Sequence, residues 1–146
     1  MWPGTIRIAE DEDGPKIGQL YKESEWSDHG VDWNRPGIGR WWIVAEENGD
    51  IVGAMQVVAS KPFSYIGDII IRPSYRARDK EGKGRLSRKV GLLPYSLYIV
   101  GLALLEKMGT EMCFGIVAEN QQPLKKFLMN HGGTDLGNYS LMGRRL

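Results

Sequence analysis

A single cysteine, Cys113, excludes any intrachain disulfide. It lies in an apolar run and reads as a buried, inert thiol. The two histidines, His29 and His131, stand far apart, so the chain lacks the nitrogen and sulfur ligands of an ordinary metal cluster and no metal is expected. Charge of one sign is lacking too: 19 basic residues face 18 acidic ones, net +1, which alone points to no partner. The first residues contain no basic stretch followed by an apolar core, so no signal peptide is expected and the expected location is cytoplasmic. The long uncharged run, 90–105, would make a helix of about 24 Å, short of a bilayer core of about 30 Å. With Pro94 and two glycines inside it, this run reads as a buried helix, and no membrane partner is expected. There is no internal repeat, low-complexity segment or linker. What is present, 42% apolar and 25% charged residues, suits one soluble domain spanning 1–146.

Alternating residues at 5–9 predict a short strand. Asp13 is a candidate N-cap, with Pro15 in the first turn, for a helix to about residue 26 whose inner face carries Ile17, Leu20 and Tyr21. A Gly-, Asp- and Asn-rich loop leads to strands at 41–46 and 51–60, joined through Asn48-Gly49, a strong hairpin signal because both residues tolerate positive φ. A third strand covers 65–71, and a helix follows from about 93 to 108. Its apolar residues (Leu97, Ile99, Val100, Leu102, Leu104, Leu105) surround it, which predicts cover on both sides. A strand at 111–118, a helix opened by Asn120 and stopped by Gly132-Gly133, and a strand at 139–142 complete the order β-α-β-β-β-α-β-α-β. This is a single α/β domain, with a mixed, mostly antiparallel sheet flanked by helices.

The stretch 65–109 carries most of the functional information. An apolar strand runs into a basic loop with a glycine at a helix N-terminus, a common way to hold an anion, because the first N–H groups of a helix lack partners. Between Arg72 and Val90 stand eight basic residues and two acids, a local +6 that leaves −5 for the rest.

Ile71-Arg72-Pro73-Ser74-Tyr75-Arg76, then Arg88-Lys89-Val90-Gly91-Leu92-Leu93, and finally Asn120-Gln121-Gln122-Pro123-Leu124-Lys125-Lys126-Phe127 resemble the successive signatures of the GNAT-type N-acetyltransferase superfamily. The resemblance covers nearly the whole chain. It departs from the family in three places: residues 77–87 are inserted within the central signature, Leu93 replaces the last small residue, and Phe127 replaces a tyrosine. An alternative register for the glycine loop is Asp79-Lys80-Glu81-Gly82-Lys83-Gly84.

The resemblance implies direct transfer of an acetyl or similar acyl group from acetyl-CoA, or another acyl-CoA, to an amine on a small molecule or macromolecule. The cofactor would lie along the edge of Ile69, Ile70 and Ile71. Its pyrophosphate would rest on Arg88 and the backbone of Lys89, Val90, Gly91 and Leu92, with Asn120 and Phe127 beside its arm. Asp68, which interrupts an apolar strand, is the candidate general base, with Glu46, Glu47 and His131 behind it. With no hydroxyl on Phe127, proton donation falls to Tyr139, Tyr95 or water. Trp26, Trp33, Trp41 and Trp42 either stack on an acceptor or pack in the core. The basic insertion reads as a solvated loop, a clamp for coenzyme A phosphates or a nucleic-acid contact through 76–89. The last leaves two alternatives open: a catalytically degenerate GNAT-fold protein that binds nucleotide or nucleic acid, or an acyltransferase acting on a nucleic-acid base. Monomer and homodimer are both compatible with the sequence.

Overall fold

The computed structural model describes residues 2–24, 40–60, 62–76, 88–117 and 122–137. The elements are β1 (Thr5–Ile8), α1 (Gly14–Glu23), β2 (Arg40–Glu47), β3 (Asp50–Ser60), β4 (Phe63–Ile71), α2 (Arg88–Lys107), β5 (Met112–Gly115) and α3 (Gln122–Asn130). This is the order expected from the sequence up to α3; the expected strand at 139–142 lies outside the described residues. The chain divides into two compact units, Met1–Gly115 and Ile116–Leu146.

In the first unit the strands form one sheet in the order β1-β2-β3-β4-β5. Neighbours are antiparallel except for β4 and β5, which run parallel and are joined by α2. Asn48 and Gly49 turn β2 into β3 with φ of 52° and 82°, the twist that suits a tight hairpin. Strand alternation then sorts the core. Ile43, Ala45, Met55, Val57 and Ile71 join Leu93, Leu97 and Leu105 of α2 in one cluster. Val44, Ala54, Ile51 and Ile70 join Ile17, Leu20 and Tyr21 of α1 in another. Gly101 lets α2 lie close on β3, since a Cβ there would stand 2.2 Å from Cε of Met55.

Four features depart from the sequence reading. First, α2 starts at Arg88 rather than near 93, and Pro94 lies inside it. Proline supplies no N–H to the preceding turn, so the first turn is held by one bond fewer. Second, α2 buries Leu93, Ser96, Leu97, Tyr98 and Leu105, while Ile99, Val100 and Leu102 are half-buried. Full cover is confined to the side facing the sheet. Third, Asp13 precedes α1 but makes no side-chain cap to it. Its carboxylate accepts the Glu10 N–H at 2.8 Å and both arms of the Arg7 guanidinium, at 2.6 and 3.0 Å. A two-bonded fork between opposite charges outcompetes a single backbone N–H at the helix start. Fourth, Trp2 is core, 5% exposed, with its backbone N–H on Ser96 Oγ at 3.1 Å.

In the second unit, α3 ends at a left-handed Gly132 (φ 91°), where the Gly133 N–H donates to the Leu128 carbonyl at 2.9 Å. Lys125 pairs with Asp135 at 2.6 Å.

Candidate active site

The pairing of β4 changes half-way along its length. Ile66 opposes Val57, but Ile69 opposes Met55, so Gly67 and Asp68 together face the single residue Gln56. One extra residue in one strand is a β-bulge, which bends and twists that strand. On the other edge, β5 pairs with β4 from Phe63↔Met112 to Ile66↔Gly115, and the pairing ends there. Beyond the bulge, no strand among the described residues covers the β5-side edge of 67–71.

The antiparallel ladder fixes which groups line that edge. The Arg72 N–H donates to the Val52 carbonyl at 2.9 Å. Arg72 and Val52 are therefore a hydrogen-bonded pair, as are Ile70 and Ala54 two residues back in the same register. Ile69 and Ile71 occupy the alternate positions, so their N–H and C=O groups point away from β3 into the opening. Arg76 marks that side, its Nε donating to the Ile71 carbonyl at 2.9 Å. Of the three residues expected to line a cofactor, Ile69 and Ile71 present main chain to the opening. Ile70 gives its main chain to β3 and its side chain, 1% exposed, to the α1-side core.

Since α2 returns antiparallel to β4 before the parallel β5 begins, its N-terminus stands at the C-terminal end of β4, where the strands part. With the helix starting at Arg88, the helical N–H groups without intrahelical partners are those of Arg88, Lys89 and Val90. Leu92 falls in the hydrogen-bonded part and packs, half-buried, on the core. The side chains of Asp68, Arg88, Lys89, Val90 and Gly91 lie outside the described residues, as do Asn120, Tyr139, Trp26, Trp33, the insertion 77–87 and the alternative glycine register 79–84. Phe127 lies on α3, its ring 4.4 Å from that of His131.

The other candidates have structural partners. Glu46 Oε2 accepts from Arg7 at 2.6 Å and Glu47 accepts from the Tyr75 phenol. That carboxylate raises the Tyr75 pKa above its ordinary value. His131 Nδ1 lies 2.6 Å from the Phe127 carbonyl. Tyr95 is half-buried on α2. Trp42 meets Tyr21 edge-on at 5.9 Å, and Trp41 packs against the α2-side core. Burial pushes the Cys113 thiol up, away from the reactive thiolate. A cleft of about 360 Å³ lined by Pro3, Gly4, Thr5 and residues 46–49 is bordered by the same partnered glutamates.

Sequence reasoning passed over Gln56, the one polar side chain between Ile51 and Ala59. An amide in the middle of an apolar strand was the available signal.

No family model and no curated protein matches the chain. Solved structures do. The aminoglycoside N-acetyltransferase AAC(6')-Iy, in complex with the bisubstrate analogue CoA-S-monomethyl-acetylneamine, aligns with a TM-score of 0.74 at 13% identity, over 97% of this chain and 98% of that one. An aminoglycoside acetyltransferase from an uncultured soil metagenomic sample, in complex with sisomicin, aligns with a TM-score of 0.67 at 17% identity, over 97% and 95%. This is the GNAT N-acetyltransferase fold. A transcriptional regulator from Bacillus halodurans C-125 also aligns with it, at a TM-score of 0.70 and 14% identity, over 97% and 99%. A GNAT fold therefore leaves the activity to be argued from the site.

Proposed function

We propose that this GNAT-fold chain is an N-acetyltransferase that moves the acyl group of acetyl-CoA, or of a related thioester, directly to the amine of a small molecule. The observation that carries the reading is the opening beyond the β4 bulge. It places the main-chain groups of Ile69 and Ile71 at the same end of the sheet as the N-terminus of α2.

The donor set suits such a ligand at both ends. A pantetheine arm carries amides, which pair with an exposed strand edge as an added strand would. A pyrophosphate suits the free N–H groups at 88–90, with basic residues at 88 and 89. Bound acetyl-CoA supplies the activated acyl thioester. An N–H of Ile69 or Ile71 can then donate to the acyl oxygen as negative charge grows there. Asp68, within the bulge and next to Ile69, would take the proton that the attacking ammonium must lose, and Tyr139 would return one to the leaving thiolate. Complexes of the two aminoglycoside acetyltransferases with an acetylneamine conjugate and with sisomicin favour a small amine as acceptor.

Calorimetry with saturating acetyl-CoA tests the reading directly: binding is expected, and its absence would end the proposal. Arg88→Glu combined with Gly91→Asp is expected to abolish binding, because it sets negative charge at the helix N-terminus. Unchanged affinity would move the pyrophosphate to 79–84. Asp68→Asn is expected to lower kcat by about 10² or more with acetyl-CoA affinity retained.

A further inference from the structure

We propose that Gln56, on the sheet face at the bulge, positions the acceptor amine. This deepens the transferase reading and rests on it. Gln56 occupies the β3 position opposite both bulge residues, Gly67 and Asp68, and its cross-strand partner on β2 is Trp42.

Its side chain lies directly on the bulge. A Cβ built on Gly67 would stand 2.4 Å from Gln56 Oε1 and 3.3 Å from its Cδ, so a side chain there would push the carboxamide aside. Gln56 is half-buried, and its carboxamide makes no hydrogen bond among the described residues. The carboxamide is not sealed from solvent, so its hydrogen-bonding groups are open to a ligand. Gln56 therefore stands where β4 leaves β5, one residue along β3 from Met55, the partner of Ile69, whose main chain faces the opening.

The chemistry of the neighbours selects the ligand. Oε1 accepts a hydrogen bond from an N–H and cannot be lost to titration. The indole of Trp42, on the next strand, favours a cation near its face. Nε2 of the same amide can donate to an alcohol or a carboxylate, so the preference for an amine comes from Trp42. An ammonium gains from both, and it would lie beside Asp68, the residue proposed to deprotonate it.

The test uses n-butylamine as acceptor, because it carries an ammonium and no further polar group, with acetyl-CoA-dependent thiol release as the readout. In Gln56→Met, which keeps the length and removes the polar atoms, the KM for n-butylamine is expected to rise about tenfold or more, with the KM for acetyl-CoA unchanged. Gln56→Glu, which restores an acceptor oxygen, is expected to keep the amine KM near that of the parent. An unchanged amine KM in Gln56→Met would overturn the inference while leaving the transferase reading intact. So would a matching rise in the KM for acetyl-CoA in both variants, because it would mean that Gln56 only shapes the bulge. If the parent chain releases no thiol with n-butylamine and binds no acetyl-CoA, the transferase reading fails and the inference with it. If it binds acetyl-CoA but does not acylate n-butylamine at any concentration, the inference alone fails.

Discussion

At the β1–β2 edge, Arg7 of β1 forks onto Asp13 and reaches Glu46 of β2 at 2.6 Å, while Asp13 also holds the Glu10 N–H. Beyond the bulge in β4, the main chain of Ile69 and Ile71 faces an opening that no other described strand fills. Both regions belong to one sheet and both carry concentrated polar groups. In the first, the groups satisfy each other and lock a turn onto the sheet. In the second, apolar side chains hold the strand from behind and leave the Ile69 main chain and the Ile71 N–H for an outside partner, while the Ile71 carbonyl accepts from Arg76. The contrast predicts that changes in the closed corner alter stability without altering binding, and that changes at the open edge do the reverse.

The largest effect is expected from Arg7→Met. It leaves Asp13, 4% exposed, as a buried carboxylate without its cation, which typically costs about 3–5 kcal/mol. The measurement is a urea midpoint shift at constant slope, with acetyl-CoA affinity below the midpoint unchanged. A loss below about 1 kcal/mol, or a matching loss of affinity, would break the division of labour.

Acid titration sharpens the same point. The hydrogen bonds from Arg7 hold the Asp13 carboxyl below its ordinary range. A depressed folded-state pKa contributes stability that is fully present above the unfolded value, near ~3.9. It is lost as pH falls through the lower folded value. Stability of the parent chain is therefore expected to fall on acidification below about pH 4, and Asp13→Asn to flatten that fall. An identical acid limb in both proteins would remove Asp13 from the account.

The sequence made some of this legible and hid the rest for physical reasons. The hairpin at Asn48-Gly49 and the order of elements follow from local rules, and the structure agrees with them as far as α3. The bulge was invisible. A bulge shifts strand parity by one residue, and the run Ile69-Ile70-Ile71 is apolar in either parity, so no pattern marks the slip. The start of α2 was misread because Pro94 suits a first turn, whereas the helix begins six residues earlier, at Arg88. Asp13 satisfied the local rule for a cap, but its true partner, Arg7, comes from a strand packed beside it. Long-range partners of this kind decide polar residues, and they leave no local periodicity.

Amide exchange addresses the open edge itself. Without ligand, the Ile69 and Ile71 N–H groups are expected to exchange faster than that of Ile70, which bonds to β3. Saturating acetyl-CoA should slow the first two by at least about tenfold and leave Ile70 little changed. Slow exchange at all three positions without ligand would mean that the edge is already covered, and the contrast with the closed corner would disappear.

The smallest effect on stability is expected from Gly67→Ala. The new methyl meets only the far end of the flexible Gln56 side chain, with Oε1 at 2.4 Å. Moving that carboxamide off its preferred rotamer costs about 0.5–1.5 kcal/mol. Replacing glycine in a strand returns about 0.5–1 kcal/mol of backbone entropy. The two terms nearly cancel, so thermal stability should change by less than about 1 kcal/mol. Yet the carboxamide is displaced from the bulge, so the KM for n-butylamine should rise several-fold while the KM for acetyl-CoA holds. A substitution that is close to silent in stability and visible only toward the amine is what an open, ligand-facing region predicts. A loss of several kcal/mol would instead show that the bulge is packed as tightly as the Arg7 corner.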